Sequence, residues 1–355
     1  MSEFTSQSLR NLFRPHIAKL VPYSSARDEN NASNKINLDA NENPFGTYNR
    51  YPDPQQQALK DRWGKLQNYP TQNLFVGNGS DEVIDLLFRV FCEPGIDQCL
   101  AFGPTYGMYK VSADINGVEI LEQPLLPSFD WDIEGAIETL KDSRIKMVFI
   151  CSPNNPTGQS MPRESVERIL EAFEGIVILD EAYIDFSPLP SATEWEVQNP
   201  RLVVVKTLSK AWGLASLRIG FAMADPEIIE ALNKIKPPYN VSSANQELTL
   251  EALGNTEYFQ QCVQTLILER EKMQIALTEL EEVQKVHPSD GNFLLVQFKN
   301  PKYTLRALAQ RGIVIRDRSK QVGNCLRISI GTPRENNILL NNLKELENET
   351  SPVYR

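Results

Sequence analysis

Leu202-Val203-Val204-Val205-Lys206-Thr207-Leu208-Ser209-Lys210-Ala211-Trp212-Gly213-Leu214-Ala215-Ser216-Leu217-Arg218-Ile219-Gly220-Phe221-Ala222 holds an apolar run, a turn with a lysine at its centre, and a second apolar run. Runs this short and this apolar read as buried strands. Lys210 then sits just past a strand end, in partly dry surroundings where desolvation and nearby cations lower the pKa of an amine and leave it nucleophilic. An ordinary lysine that snorkels from a strand end is the bland alternative, and for a lone lysine it would prevail. The neighbours argue otherwise: Ser209 and Arg218 flank the amine with the donors a phosphate needs.

Outward from this stretch the same grammar repeats. Apolar runs at Leu74-Phe75-Val76, Cys99 to Phe102, Val118 to Leu121, Met147 to Ile150, Ile176 to Leu179, Leu202 to Val205 and Ile219 to Ala222 alternate with helical patterns. Those include Asp81 to Phe91, Arg163 to Phe173 and Pro226 to Lys236, with Pro162 and Pro226 suited to helix starts. Alternation of this kind predicts an α/β fold, a mostly parallel sheet between helices. After Pro237-Pro238 a long pattern from about Ser243 to Val286 reads as helix and leads into a smaller α+β unit. Its strand candidates are Phe293 to Val296, Ile313 to Ile315 and Leu326 to Ser329, and a last helix runs from about Pro333 to Glu347. The expected division is an arm over 1–37, a large unit over 38–240 and a small unit over 241–355.

Composition narrows the chemistry. The chain has 355 residues, 41% hydrophobic and 23% charged, which is the make-up of a globular protein of about two domains. No uninterrupted apolar stretch approaches bilayer length, and Met1-Ser2-Glu3-Phe4-Thr5 lacks the basic start of a signal peptide, so a cytoplasmic protein is expected. With 36 basic and 46 acidic side chains the net charge of -10 argues against nucleic acid and anionic membranes as partners. The five cysteines lack CxxC spacing, and the two histidines, His16 and His287, lie far apart. Zinc sites and Ser-His-Asp chemistry therefore have little raw material, and no metal is expected.

Four further segments gather around Lys210 in this reading. Gly77-Asn78-Gly79-Ser80-Asp81-Glu82 follows a strand and opens a helix, so its free N–H groups would face an anion, although a simple turn explains the same residues. Ser152-Pro153-Asn154-Asn155-Pro156-Thr157-Gly158 lies at a strand's carboxyl end, where open α/β sheets place ligands. Ile178-Leu179-Asp180-Glu181-Ala182-Tyr183 sets two carboxylates at another strand end, and Phe102-Gly103-Pro104-Thr105-Tyr106-Gly107 sets an aromatic ring past a third. A nucleophilic amine, a phosphate cup, a carboxylate and a stacking ring together fit pyridoxal phosphate, held as a Schiff base on Lys210. Asp180 is the candidate to face the ring nitrogen and Tyr183 to bond the ring oxygen.

The same segments resemble pyridoxal-phosphate-dependent aminotransferases of the aspartate-aminotransferase fold, most closely the histidinol-phosphate aminotransferase family. Leu38-Asp39-Ala40-Asn41-Glu42-Asn43-Pro44, Arg50-Tyr51-Pro52-Asp53, Pro104 to Tyr109, Cys151 to Gly158, Asp180 to Tyr183, Thr207 to Arg218 and Cys325 to Thr332 carry the resemblance, with Val21-Pro22-Tyr23 and Ser25-Ala26-Arg27 ahead of them. It spans nearly the whole chain. It implies a large domain with a seven-stranded sheet and a smaller C-terminal domain. It further implies Lys210, Asp180 and Tyr183 as the catalytic set, with Asn155 and Tyr183 on the ring hydroxyl and Tyr106 stacked on the ring. Phosphate would be held by Ser80 and Asp81 through backbone N–H groups, by Thr207, Ser209 and Arg218, and by Tyr51 from the second subunit of a homodimer. Arg327, with Arg316, Tyr23 and Asn43, would read the anionic end of histidinol phosphate or glutamate. Ser216 departs from the glycine that this group often carries.

The implied reaction is a ping-pong transamination between histidinol phosphate and 2-oxoglutarate in histidine biosynthesis. Aromatic amino-acid aminotransferases and a threonine-phosphate decarboxylase share the fold and are the nearest rivals. A DNA-binding regulator is disfavoured by the short arm and acidic charge, and a nicotinamide dehydrogenase by Glu82, which stands where a third glycine would be needed.

Overall fold

The computed structural model describes residues 9–22, 36–195 and 199–350. All seven apolar runs are strands of one sheet: β1 (Leu74–Asn78), β2 (Gln98–Gly103), β3 (Glu119–Pro124), β4 (Ile145–Cys151), β5 (Ile176–Asp180), β6 (Leu202–Thr207) and β7 (Ile219–Met223). Their spatial order is β1-β7-β6-β5-β4-β2-β3, and β7 alone runs antiparallel to its neighbours. The central strands are apolar on both faces because both faces are covered. Val203 and Val205 of β6 face one core with Phe88 and Phe149, while Leu202 and Val204 face another with Trp63 and Phe221.

Helices α1 (Pro15–Ala18), α2 (Gln57–Gln67), α3 (Ser80–Phe91), α4 (Met108–Ile115), α5 (Ile133–Thr139), α6 (Arg163–Ala172) and α7 (Pro226–Ile235) precede or flank these strands. Pro226 occupies the first turn of α7, and the Asp225 side chain accepts the Glu227 N–H, so the start read from the sequence is capped as well as stiffened.

Two expectations need correction. The long helix over Ser243 to Val286 is three elements: α8 (Ser243–Ala252), α9 (Thr256–Thr278) and strand β8 (Val283–Val286). Gly254 weakens the helix at the break, and the Asn255 side chain restarts it by accepting the Tyr258 N–H at 3.2 Å. The strand expected at Ile313 to Ile315 is instead the two-residue β10 (Arg316–Asp317), because Ile313 and Ile315 pack into the core beside that strand rather than joining the ladder. It pairs with β11 (Cys325–Ser329), and β9 (Phe293–Phe298) and β8 complete an antiparallel sheet ordered β10-β11-β9-β8. Helices α10 (Pro301–Gln310) and α11 (Pro333–Thr350) cover it, with Leu294, Val296, Leu326, Ile328 and Leu343 in a core of its own.

A small cluster ties this sheet to the large one where it matters most. Tyr183, Ala211 and Phe293 pack together, so the residue after β5, the lysine turn and β9 share one contact region. Asp290 N–H donates to the Gly158 carbonyl at 2.7 Å across the same seam. Gly158 has φ +95°, and a Cβ there would lie 2.6 Å from Ser289 Oγ, so only glycine lets the two sheets approach this closely.

Candidate active site

Parallel register brings the functional strand ends side by side. Cys151 of β4 lies opposite Asp180 of β5, and Asp180 opposite Val205 of β6, so the loops that follow open on one rim of the sheet. A cavity of about 130 Å³ there is lined by Ser80, Asp81, Tyr106, Asp180, Tyr183, Thr207, Ser209, Lys210 and Arg218, among others. Nine of the residues singled out from the sequence therefore meet in one place.

Asp180 is 2% exposed. Its Oδ1 accepts the Ala182 N–H at 3.1 Å and its Oδ2 accepts the Tyr109 hydroxyl at 2.6 Å. Burial pushes the carboxyl up to about 6, and those two donors act against the rise. The adjacent Glu181 is equally buried but points away from the cavity: it accepts the Ala192 N–H at 2.7 Å, and Lys206 Nζ lies 3.6 Å away. Of two neighbouring acids, Asp180 alone serves the cavity, and Glu181 pins the chain behind it rather than standing in solvent.

Lys210 Nζ lies 5.6 Å from the Tyr183 ring centre. Desolvation first, and the Arg327 guanidinium second, hold its ammonium below the ordinary lysine range, while Asp180 and Asp81 pull the other way. More of this amine is neutral near pH 7 than of a surface lysine, the condition a nucleophile or base requires. Tyr183 Oη accepts from Asn155 Nδ2 at 3.2 Å, and Asn155 Oδ1 in turn accepts a short bond from Arg327 Nη1. The chain Arg327–Asn155–Tyr183 joins the small sheet to the large one.

The phosphate end is built from backbone. The first turn of α3 leaves N–H groups free beside Ser80, and Thr207 and Ser209 stand across from it on the lysine turn. Gly220 is needed for this, since a Cβ on it would fall 2.3 Å from the Ser80 nitrogen. Arg218 takes a left-handed conformation, φ +52°, that swings its guanidinium over Gly79, where a Cβ would meet Nη2 at 2.6 Å. Arg218 Nη2 contacts Asp81 Oδ2 at 3.3 Å, and the Tyr106 hydroxyl donates to Asp81 Oδ1 at 3.0 Å. Asp81 thus fixes both the cation and the aromatic ring. A helix start, two hydroxyls and an arginine suit a phosphate monoester; a buried acid and a poised amine suit a pyridine aldehyde. The residues present fit pyridoxal phosphate.

Other expected residues do not line this cavity. Tyr51 stacks on Tyr239 at 4.4 Å and borders a different hollow, with Asn41, Glu42, Arg50 and Ser242. Asn43 Oδ1 accepts the Phe45 N–H and does not line the Lys210 cavity. Arg316 is exposed but pairs in register with Arg327. Tyr23 lies outside the described residues. The sequence does not point to Tyr109 as a ligand of Asp180: it sits fully buried, stacked on Phe149 at 4.6 Å, and the bond crosses from α4 to β5. The periodic burial of α4 gives the only hint of it in the sequence. Among the described residues there is no cluster of acids, cysteines and histidines fit for a metal ion, and no helix long and apolar enough to cross a membrane.

A family model described as aminotransferase class I and II matches residues 24–343. A histidinol-phosphate aminotransferase of Parabacteroides distasonis is 47% identical over 344 residues, covering 96% of this chain and 99% of that one. One from Cytophaga hutchinsonii is 46% identical over 344 residues, 95% of this chain and 99% of its own. Among solved structures, the histidinol-phosphate aminotransferase of Sinorhizobium meliloti in complex with pyridoxal-5'-phosphate superposes with a TM-score of 0.77 at 23% identity, covering 88% of this chain and 90% of that one. At that identity the superposition speaks for the fold, which is that of the aspartate-aminotransferase group.

Proposed function

The chain belongs to the aminotransferase class I and II family, and from that premise we propose that it exchanges an amino group between L-histidinol phosphate and 2-oxoglutarate, as a cytoplasmic enzyme of histidine biosynthesis. The products are imidazole-acetol phosphate and L-glutamate. The observation that carries the reading is the meeting of Lys210, buried Asp180 and the Ser80–Ser209–Arg218 cradle in one cavity. Full-length likeness to histidinol-phosphate aminotransferases supports the choice of substrate.

Pyridoxal phosphate, when bound, supplies an aldehyde that a primary amine can bond and a cationic ring that draws electrons from a substrate's Cα. The protein's residues do the rest. Lys210 Nζ is the amine that would hold the cofactor and, when free, would be the base that takes the Cα proton; its lowered pKa leaves more of it neutral for that work. Asp180 would present its carboxylate to the ring, and a cation beside it would restore the ionisation that burial opposes. Tyr183 and Asn155 would address the ring oxygen, Tyr106 would cover a ring face, and Arg218 with the start of α3 would anchor the phosphate. Closely packed Tyr109, Phe149 and Phe88 keep water from the back of Asp180.

Arg327 is the residue we assign to the substrate's anionic end, because its planar fork pairs with a carboxylate or a phosphate alike. Arg327→Lys keeps the charge and loses the fork. Its kcat/KM is expected to fall roughly 10-fold or more for both histidinol phosphate and glutamate; rates untouched in both half-reactions would remove Arg327 from the site.

A homodimer with Tyr51 reaching its partner's phosphate cradle belongs to the same proposal. Ile36, Leu38 and Phe45 are almost wholly exposed on the segment that leads to Tyr51, an apolar surface of the kind chains cover with a partner. Light scattering should give the mass of two chains, and a fully active monomer would contradict this part.

The substrate assignment is tested by single-turnover half-reactions with histidinol phosphate, phenylalanine, aspartate and threonine phosphate. Histidinol phosphate is expected to convert the cofactor fastest. Were it slowest, transamination would stand and the substrate would change; carbon dioxide released from threonine phosphate would favour the lyase.

A further inference from the structure

The face of the small sheet that looks toward Lys210 carries three arginines, one more than the sequence reading placed there. Arg316 of β10 lies directly opposite Arg327 of β11, so their side chains share a face. Arg318 is two residues beyond Arg316 and returns to that face, since alternate residues along an extended chain point the same way. Its own N–H donates to the Cys325 carbonyl at 3.0 Å, which continues the β10–β11 ladder and fixes the position. Leu326 and Ile328, the residues between, enter the core behind.

These guanidinium groups are held together without neutralisation. Among the described residues none of the three forms an ion pair with a carboxylate: Arg327 bonds the Asn155 amide and Arg318 Nη1 bonds Gln321 Oε1 at 3.1 Å. The Nε–H groups of both Arg318 and Arg327 are sealed from solvent and meet no acceptor among the described residues. Buried donors of this kind almost always have a partner. Burial, and after it the Arg327 and Arg316 charges, hold Arg318 below the ordinary guanidinium range, and the Tyr183 phenol draws it the other way.

We infer that Arg318 is a specificity-determining residue: with Arg316 and Arg327 it forms a triple-arginine receptor for a phosphate dianion, and it selects a phosphomonoester donor over a carboxylate one. This rests on histidinol phosphate being the donor. Charge arithmetic gives the reason. Glutamate carries a single charge on each of two separate carboxylates, so whichever one reaches Arg327 needs at most one neighbouring cation. Histidinol phosphate concentrates its charge on one group, whose three oxygens offer acceptors to more than one fork. A third cation adds most where charge is most concentrated.

The test compares Arg318→Gln and Arg318→Lys with the unaltered holoenzyme, measuring KM and kcat for histidinol phosphate and for glutamate and the inhibition of each half-reaction by inorganic phosphate. For Arg318→Gln, KM for histidinol phosphate should rise roughly 10- to 100-fold with kcat within about 3-fold, KM for glutamate should change less than about 3-fold, and phosphate should inhibit more weakly. Arg318→Lys should lie between. Equal KM increases for both donors, or none for histidinol phosphate, would overturn the inference. Should the Gln variant fail to bind cofactor, the same comparison in the Lys variant decides. An unaltered enzyme inert toward histidinol phosphate would instead overturn the proposed function.

Discussion

Lys210→Ala is expected to lower the histidinol phosphate half-reaction by roughly 10⁴-fold or more, because one atom carries two duties. Under the proposed function Nζ would be both the amine that bonds the cofactor and the base that moves the Cα proton, and no second amine lines the cavity among the described residues. The fold should survive the change. Lys210 sits on a turn whose shape is set by backbone bonds, Gly213 N–H to the Lys210 carbonyl at 3.0 Å and Leu214 N–H to the Leu208 carbonyl at 3.0 Å. Circular dichroism and thermal melting should therefore match the parent protein while rapid-mixing absorbance shows almost no cofactor conversion. Turnover within 10-fold of the parent would mean that another group does the chemistry.

Asp180→Asn separates charge from shape. The half-reaction is expected to slow roughly 10³-fold, since an amide cannot stabilise a cationic ring, a penalty of the size seen when one preorganised electrostatic group is lost. Stability should move the other way in the cofactor-free protein. Because burial raises the folded-state pKa to about 6, the folded chain binds that proton more tightly than the unfolded chain does. The contribution of Asp180 is complete below its unfolded value and is lost as pH rises through about 6. At pH 7 Asp180→Asn should thus gain about 1–3 kcal/mol, and at pH 4 almost nothing, as denaturant titration would show. A loss of stability at both pH values would contradict this account. Tyr109→Phe tests the same carboxylate from behind. Its hydroxyl bond lowers the Asp180 pKa, so removing it should shift the acid limb of activity to higher pH and slow the half-reaction roughly 10-fold. An unchanged pH profile would leave Tyr109 with packing alone.

Much of this arrangement is legible along the chain because the fold aligns strand ends. Asp180 and Lys210 each follow a run of buried residues, and parallel neighbours deliver both to one rim without further information. Ser80 and Arg218 were readable for a similar reason: a helix start and a turn have few ways to present donors. Tyr109 and Arg318 are harder to read, since their placement depends on tertiary and cross-strand contacts. A tyrosine in a helix reads as core, which Tyr109 also is, and an arginine past a short strand reads as solvated. The break between α8 and α9 had its signal in Gly254-Asn255, but the apolar periodicity on either side outweighs two residues when a window is scanned. Tyr51 and Asn43 are different again. Neither lines the Lys210 cavity, and the role expected of Tyr51 would require a second copy of the chain.

The most direct measurement is chemical. Holoenzyme is reduced with borohydride, digested, and mapped for the peptide that keeps the cofactor's mass and fluorescence. All of the label is expected on the peptide containing Lys210, and on Nζ of that residue. Label on a different lysine, such as Lys206 a few positions earlier, or no covalent label at all, would contradict the account.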